Sequence, residues 1–150
     1  MANADSVGQF NLDSFSNGRI GVVRGTTLNT SGNAVITIPI LSGGLTNGGG
    51  VANSGGIIVR RVTIQNGSGN VSNANVSISV TSDGANLITA NTVLTAMSTT
   101  GRYADLNAAA PYTSNVVSGS VTQCLYVNVN AIANNANTVD ICVYGDVVSF

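Results

Sequence analysis

Histidine, lysine, glutamate and tryptophan are all missing from this chain of 150 residues. Each absence removes a class of chemistry. Without histidine and glutamate the usual general bases are gone, and without lysine there is no amine for a Schiff base. Histidine ligation of a metal is impossible, and the two cysteines, Cys124 and Cys142, are too far apart for a Cys-x-x-Cys pair. No Asp-x-Asp-x-Asp-Gly calcium loop is present. Two openings remain: a cation held by loop carbonyls with Asp83 or Asp105, and an aspartate pair such as Asp140 and Asp146 for glycoside hydrolysis. Nothing around these aspartates suggests a raised acid, so the chain is read as non-enzymatic and without cofactor.

Charge is equally scarce. Charged residues make up 7% of the chain, against about 25% in typical domains. The bases are all arginine, the acids all aspartate, and the net charge is −1. That balance gives no case for non-specific nucleic-acid binding. It also leaves little repulsion against self-association, which favours a surface partly covered by partners. The longest near-continuous apolar run, Ala34 to Leu41, is far short of the roughly twenty residues of a membrane span. Met1-Ala2-Asn3-Ala4-Asp5 lacks a basic end and an apolar stretch behind it, so no secretory signal is expected.

Asparagine, serine, threonine, valine and glycine fill the gap. They are poor helix formers. Threonine and valine suit strands, and asparagine and glycine suit turns. Disorder is excluded by frequent β-branched runs and low net charge.

Along the chain, residues 1–18 are polar, with Phe10 and Phe15 as spaced aromatics. They read as an N-terminal arm that docks its phenylalanines on a neighbour. Residues 19–150 read as one domain. Strands are expected at Arg19–Thr27, Ala34–Leu41, Gly56–Gln65 and Val76–Val80, with Pro39 marking an edge or a bulge. Ser42 to Gly56 is a glycine-rich loop without the Lys-Ser/Thr ending of a phosphate-binding loop. Ala85–Met97 is ambiguous, read as a strand near Leu87 and a helical turn over Thr92–Met97. Ser98 to Tyr112 reads mostly as loop, and Asn115–Val121 as a further strand.

The clearest signal is Val121–Phe150. Leu125, Val127 and Val129 alternate with Tyr126, Asn128 and Asn130; after an Asn-rich break, Val139, Ile141 and Val143 alternate with Asp140, Cys142 and Tyr144. Two alternating runs around a polar break predict a long antiparallel hairpin. Matching apolar faces would then set Cys124 and Cys142 on the same face, opposed or diagonal, where they could bridge within about 7 Å, with reduced, packed thiols the preferred reading in the absence of a secretion signal. The other face, with Tyr126, Cys142 and Tyr144, is too apolar for free solvent and is a candidate interface. Arg60-Arg61 lies mid-strand, and a period of two sends one arginine to each face; either could anchor on an aspartate of a neighbour. Arg19, Arg24 and Arg102 are candidates of the same kind. The whole is an all-β chain: about eight strands with long loops and at most one short helix. They form an antiparallel β-sandwich of jelly-roll or Greek-key type, with a closed barrel as the alternative.

Four stretches carry a resemblance: Gly56-Ile-Ile-Val-Arg-Arg-Val-Thr-Ile-Gln-Asn66, Asn91-Thr-Val-Leu-Thr-Ala-Met97, Leu125-Tyr-Val-Asn-Val-Asn130 and Thr138-Val-Asp-Ile-Cys-Val-Tyr-Gly145. In this order they resemble the small β-rich structural proteins of tailed bacteriophages, and at this size the head decoration, or cement, proteins. The resemblance implies a jelly-roll-like sandwich, homotrimers on the outer capsid surface, and contacts that staple neighbouring major capsid protein subunits. The expected location is the virion, assembled in the host cytoplasm. The rival reading is a receptor- or glycan-binding module of a tail or fibre, with Tyr103, Tyr112, Tyr126 and Tyr144 as stacking surfaces. A bacterial surface or pilus subunit and an enzyme follow.

Overall fold

The computed structural model describes residues 18–39, 55–107 and 124–149. The expected arm with Phe10 and Phe15, most of the glycine-rich loop and the strand over Asn115–Val121 lie outside the described residues. The described residues form eight strands: β1 Gly18–Thr27, β2 Gly32–Pro39, β3 Gly55–Gln65, β4 Asn75–Ser79, β5 Thr92–Val93, β6 Tyr103–Asp105, β7 Cys124–Ala131 and β8 Thr138–Ser149. They contain no helix.

The strands form two four-stranded antiparallel sheets, ordered β1-β8-β3-β6 and β2-β7-β4-β5. Their apolar faces meet in one core. Val59, Val62, Ile141 and Val143 enter it from the first sheet; Ile38, Ile78, Leu125 and Val127 enter from the second. Each fully buried valine, leucine or isoleucine contributes about 1.5–3 kcal/mol. The all-β sandwich expected from composition and alternation is therefore present, and it is not a closed barrel.

The strand pairs nest. β1 pairs with β8, β2 with β7, β3 with β6 and β4 with β5, and β8·β3 and β7·β4 complete the sheets. Pro39 sits in β2, an edge strand, as its missing N–H requires.

This order overturns the expected terminal hairpin. β7 and β8 do not pair; they belong to different sheets. Two alternating strands can bury their apolar faces against each other across a core as well as side by side, and alternation alone does not distinguish the two. The Asn-rich break is the crossover. Asn134 takes a left-handed φ of 64°, which asparagine tolerates better than most residues. Asn135 and Asn137 donate to the carbonyl of Asn70 at 2.7 and 3.1 Å, fastening the crossover to the β3–β4 loop. Gly69 has no Cβ because one would stand 2.6 Å from the Asn137 side chain.

The helical turn expected over Thr92–Met97 is also corrected. Thr92 and Val93 are extended beside β4, and the chain turns back only after Leu94, which accepts the Met97 N–H at 2.8 Å. The strand expected near Leu87 is a single bridge to Ser79. The loop expected over Ser98 to Tyr112 contains the short β6.

Charge divides between the sheets. Arg19, Arg24, Arg60, Arg61, Asp105, Asp140 and Asp146 all lie on strands of the first sheet, while the described strands of the second carry none. The outer face of the second sheet is a ladder of amides and hydroxyls. Asn128, nearly fully buried, accepts the Ala34 N–H at 3.3 Å and donates to Ser79 Oγ at 3.0 Å. Ala34 has a left-handed φ of 52° within an irregularity of β2, so Asn128 satisfies a backbone donor that the ladder misses.

Candidate functional site

The charged face of the first sheet gathers most of the polar chemistry of the described residues. It is set up by a bulge in β3. Val59 opposes Gly145 and Arg61 opposes Tyr144, so Arg60 is the extra residue. A bulge of this kind turns two successive side chains to one side. Val59 and Val62 on either side of it are both fully buried, and both arginines are exposed on the outer face. The expectation of one arginine on each face is thus corrected.

Both arginines have partners within the chain. Arg60 Nη2 lies 2.8 Å from Asp146 Oδ2. Arg61 forks onto Asp105, with Nε at 2.7 Å and Nη2 at 3.1 Å from its two oxygens. Tyr103 completes the second group. Its hydroxyl donates to Asp105 at 3.0 Å and meets Arg61 Nη2, and the Arg61 guanidinium lies 5.7 Å from its ring centroid. The Arg61 hydrogen bond holds the Asp105 carboxyl below its usual range, against the opposing effect of burial. Asp105 in turn raises the Arg61 guanidinium. Burial first, then the bond to Asp105, pushes the Tyr103 phenol up. Both arginines, expected as anchors on a neighbour's aspartate, thus also hold aspartates of their own chain.

Tyr144 stands between Arg19 and Arg61, opposing each across β1 and β3. Tyr126 lies elsewhere, on the second sheet beside Thr37 and Ser79. The expected single patch of Tyr126, Cys142 and Tyr144 is therefore split between opposite sides of the sandwich. The cysteines part in the same way. Cys124 opposes Pro39 in the second sheet, Cys142 opposes Val22 and Thr63 in the first, and both are free. Their expected same-face proximity fails because the hairpin fails. Gln65 Nε2 lies 2.9 Å from Cys142 Sγ. The neighbouring Cys124 thiol raises the Tyr126 phenol.

Comparisons with protein-family models, with curated proteins and with solved structures give no match. The site is therefore read from its chemistry alone.

The aspartates among the described residues all have structural employment. Asp140 accepts from Asn66 Nδ2 and from the Gly25 N–H, each at 2.8 Å, and both hold its carboxyl low. Asp83 closes a turn, accepting from Thr81 Oγ1 at 2.7 Å and the Ala85 N–H at 2.9 Å, and is lowered by the same bonds. A general acid for glycoside hydrolysis needs the opposite shift. Asp105, one of the two calcium candidates, already faces a guanidinium. Among the described residues no three His, Cys, Asp or Glu side chains cluster as a metal site, and no helix is long and apolar enough to cross a membrane.

Sequence reasoning reached Arg60, Arg61 and Tyr144, and kept Arg19 as a lesser candidate. It missed Tyr103 with Asp105 as an Arg61 clamp. One signal for the bulge was available. Val59 occupies an odd position and Val62 and Ile64 even ones, so the buried parity changes at Arg60-Arg61.

Proposed function

We propose that this protein is a virion structural protein of the capsid-decoration type, binding the outer head surface and stabilising contacts between major capsid protein subunits. The observation that carries the reading is the nested strand order. It is the order obtained by rolling one long hairpin of four strand pairs, which favours the jelly-roll form of the sandwich over other Greek-key arrangements, and jelly rolls are frequent in viral capsid proteins. Two further features support it. The scarcity of charge suits a chain whose surface is shared with partners. The exposed Tyr103, Arg60 and Arg61 are residue types enriched at protein interfaces. Self-associated copies bridging several shell subunits need only weak individual contacts, because the contacts act together.

Quantitative mass spectrometry of purified virions tests this reading. Hundreds of copies per particle are expected. Absence from the virion overturns it. Deletion of residues 1–15 tests the arm with Phe10 and Phe15 separately; unchanged head occupancy removes the arm from the proposal.

A second reading is a glycan- or receptor-binding module of a tail or fibre. It draws on Tyr103, 42% exposed and flanked by a guanidinium and a carboxylate. A stacking ring beside paired polar groups suits a sugar. A handful of copies per virion together with binding on a glycan array selects this reading.

A further inference from the structure

Three asparagines in the chain precede a glycine: Asn17, Asn47 and Asn66. Asn66-Gly67 is the pair within the described residues, and it sits where one end of the first sheet is tied. Gln65, the last residue of β3, opposes Asp140 of β8, and Asn66 follows directly. Asp140 accepts from Asn66 Nδ2 with one oxygen and from the Gly25 N–H of β1 with the other, each at 2.8 Å. One carboxylate thus joins β8 to both of its neighbours. Asn66 is exposed and takes a left-handed φ of 56°. Gly67 is buried, a Cβ on it would stand 3.1 Å from the Met97 side chain, and its carbonyl accepts from Arg102.

We propose that Asn66 is a site of spontaneous deamidation, held back in the folded chain by its bond to Asp140. The chemistry needs only water. The Gly67 backbone nitrogen loses its proton to solvent and attacks the side-chain carbonyl carbon of Asn66. A bond forms between that nitrogen and Cγ, and the bond from Cγ to Nδ2 breaks. The leaving nitrogen takes up a proton and departs as ammonia. Water then opens the cyclic imide at one carbonyl or the other, leaving aspartate or isoaspartate at position 66. No atom changes oxidation state. Glycine in the following position favours the attack, because no Cβ hinders the approach of its nitrogen.

The fold opposes ring closure at two points. Asp140 fixes the side-chain amide, and Arg102 holds the carbonyl of Gly67, whose nitrogen must swing over Cγ. Both constraints lapse when the end of β3 opens locally. The product then resists closing. A carboxylate at position 66 replaces the amide donor and faces the Asp140 carboxylate, where like charges repel. Isoaspartate also adds a carbon to the backbone at the turn. Asp140 keeps its bond to the Gly25 N–H, but the side-chain tie from β8 to the end of β3 is lost. The reaction therefore runs one way: opening permits it, and its product keeps the end open. It stands apart from the capsid reading, and it adds one negative charge to a chain whose net charge is −1.

Peptide mapping of the full chain by mass spectrometry, after warm incubation in mildly alkaline buffer, tests it. Conversion at Asn66 should be about tenfold or more slower in the folded chain than in urea, because ring closure waits for opening. Asp140→Asn exchanges a charge-assisted bond for a neutral one and should raise conversion at Asn66 about fivefold in the folded chain. Asn17 and Asn47, read in the same digests, should convert at unchanged rates. Asn66→Asp imitates one product and should lower the urea midpoint at neutral pH. That deficit should shrink below about pH 4, as the facing carboxylates take up a proton. Equal conversion at Asn66 in folded and urea-unfolded chain overturns the proposal, as does no conversion in either. So does an Asp140→Asn chain that converts no faster, or whose rise is shared by Asn17 and Asn47. If Asp140→Asn fails to fold, the comparison of folded with unfolded chain decides alone.

Discussion

Asn135 donates its side-chain amide to the Asn70 carbonyl at 2.7 Å, tying the passage between the sheets to the β3–β4 loop. The same side chain accepts the Asn137 N–H at 2.9 Å, so one residue shapes the crossover and anchors it. Asn135→Ala leaves the Asn137 N–H without its partner and the Asn70 carbonyl with the weaker bond from Asn137 alone. A destabilisation of about 1–2 kcal/mol is expected, read as a lower urea midpoint at constant slope.

Gly145 gives a larger effect. It is buried in β8 opposite Val59, and a Cβ there would press into the Ile58 carbonyl oxygen, which is backbone. No rotamer change relieves that contact. Gly145→Ala should cost about 3 kcal/mol. Gly25→Ala is a useful contrast, because space is open there and only the φ of +59° opposes the substitution. A smaller loss, about 1 kcal/mol, is expected there.

Thr63 is 1% exposed and its hydroxyl has no hydrogen-bond partner among the described residues. An unpaired buried hydroxyl carries a desolvation penalty of about 1–3 kcal/mol. Thr63→Val keeps the β-branched shape and removes the penalty. Stability should be unchanged or rise by about 1 kcal/mol in urea unfolding; a marked loss would show that the hydroxyl has a partner in the folded protein.

Acid should unfold the protein through its aspartates. Asp105, Asp140 and Asp83 are all held below the usual carboxylate range, first by Arg61, Asn66 and Thr81 respectively. A lowered folded value means that the stabilisation is present above the unfolded value, about 3.9. It is lost as pH falls through the folded values. Stability should therefore be flat between about pH 5 and 8, where the absent histidines would have titrated. It should then decline below about pH 4. Asp140→Asn should make the decline shallower in urea midpoints measured across pH.

Thiol chemistry distinguishes the observed sheets from a terminal hairpin. Cys124 is half-buried and Cys142 is 2% exposed, on opposite sides of the core. Native alkylation should modify Cys124 first, and unfolding should release both thiols. A bridge between them would leave neither to react.

The strands were legible in the sequence because a period of two survives in Val139–Tyr144 and Leu125–Asn130. Their partners were not. A strand with one apolar face has the same pattern whether its neighbour in sequence lies beside it or across the core, and only long-range pairing separates the two. The Arg61 clamp was hidden for a related reason. Its other members come from β6, a strand of only three residues, too short to show a period. Its register is supplied by β3, through Thr63 opposite Asp105 and Gln65 opposite Tyr103.

The nested order also dictates a sequence of events. β8 lies between β1 and β3, both of which leave the ribosome well before it. Until β8 arrives, the first sheet has no centre, and β1 and β3 have nothing to hydrogen-bond between them. β7 stands in the same relation to β2 and β4. Folding must therefore wait for late segments to thread between early ones, with the slow closure that long-range strand pairing entails. The nascent chain spends that interval with valine- and isoleucine-rich strands exposed, a hazard that the short edge strands β5 and β6 and the asparagine-rich connections are suited to contain.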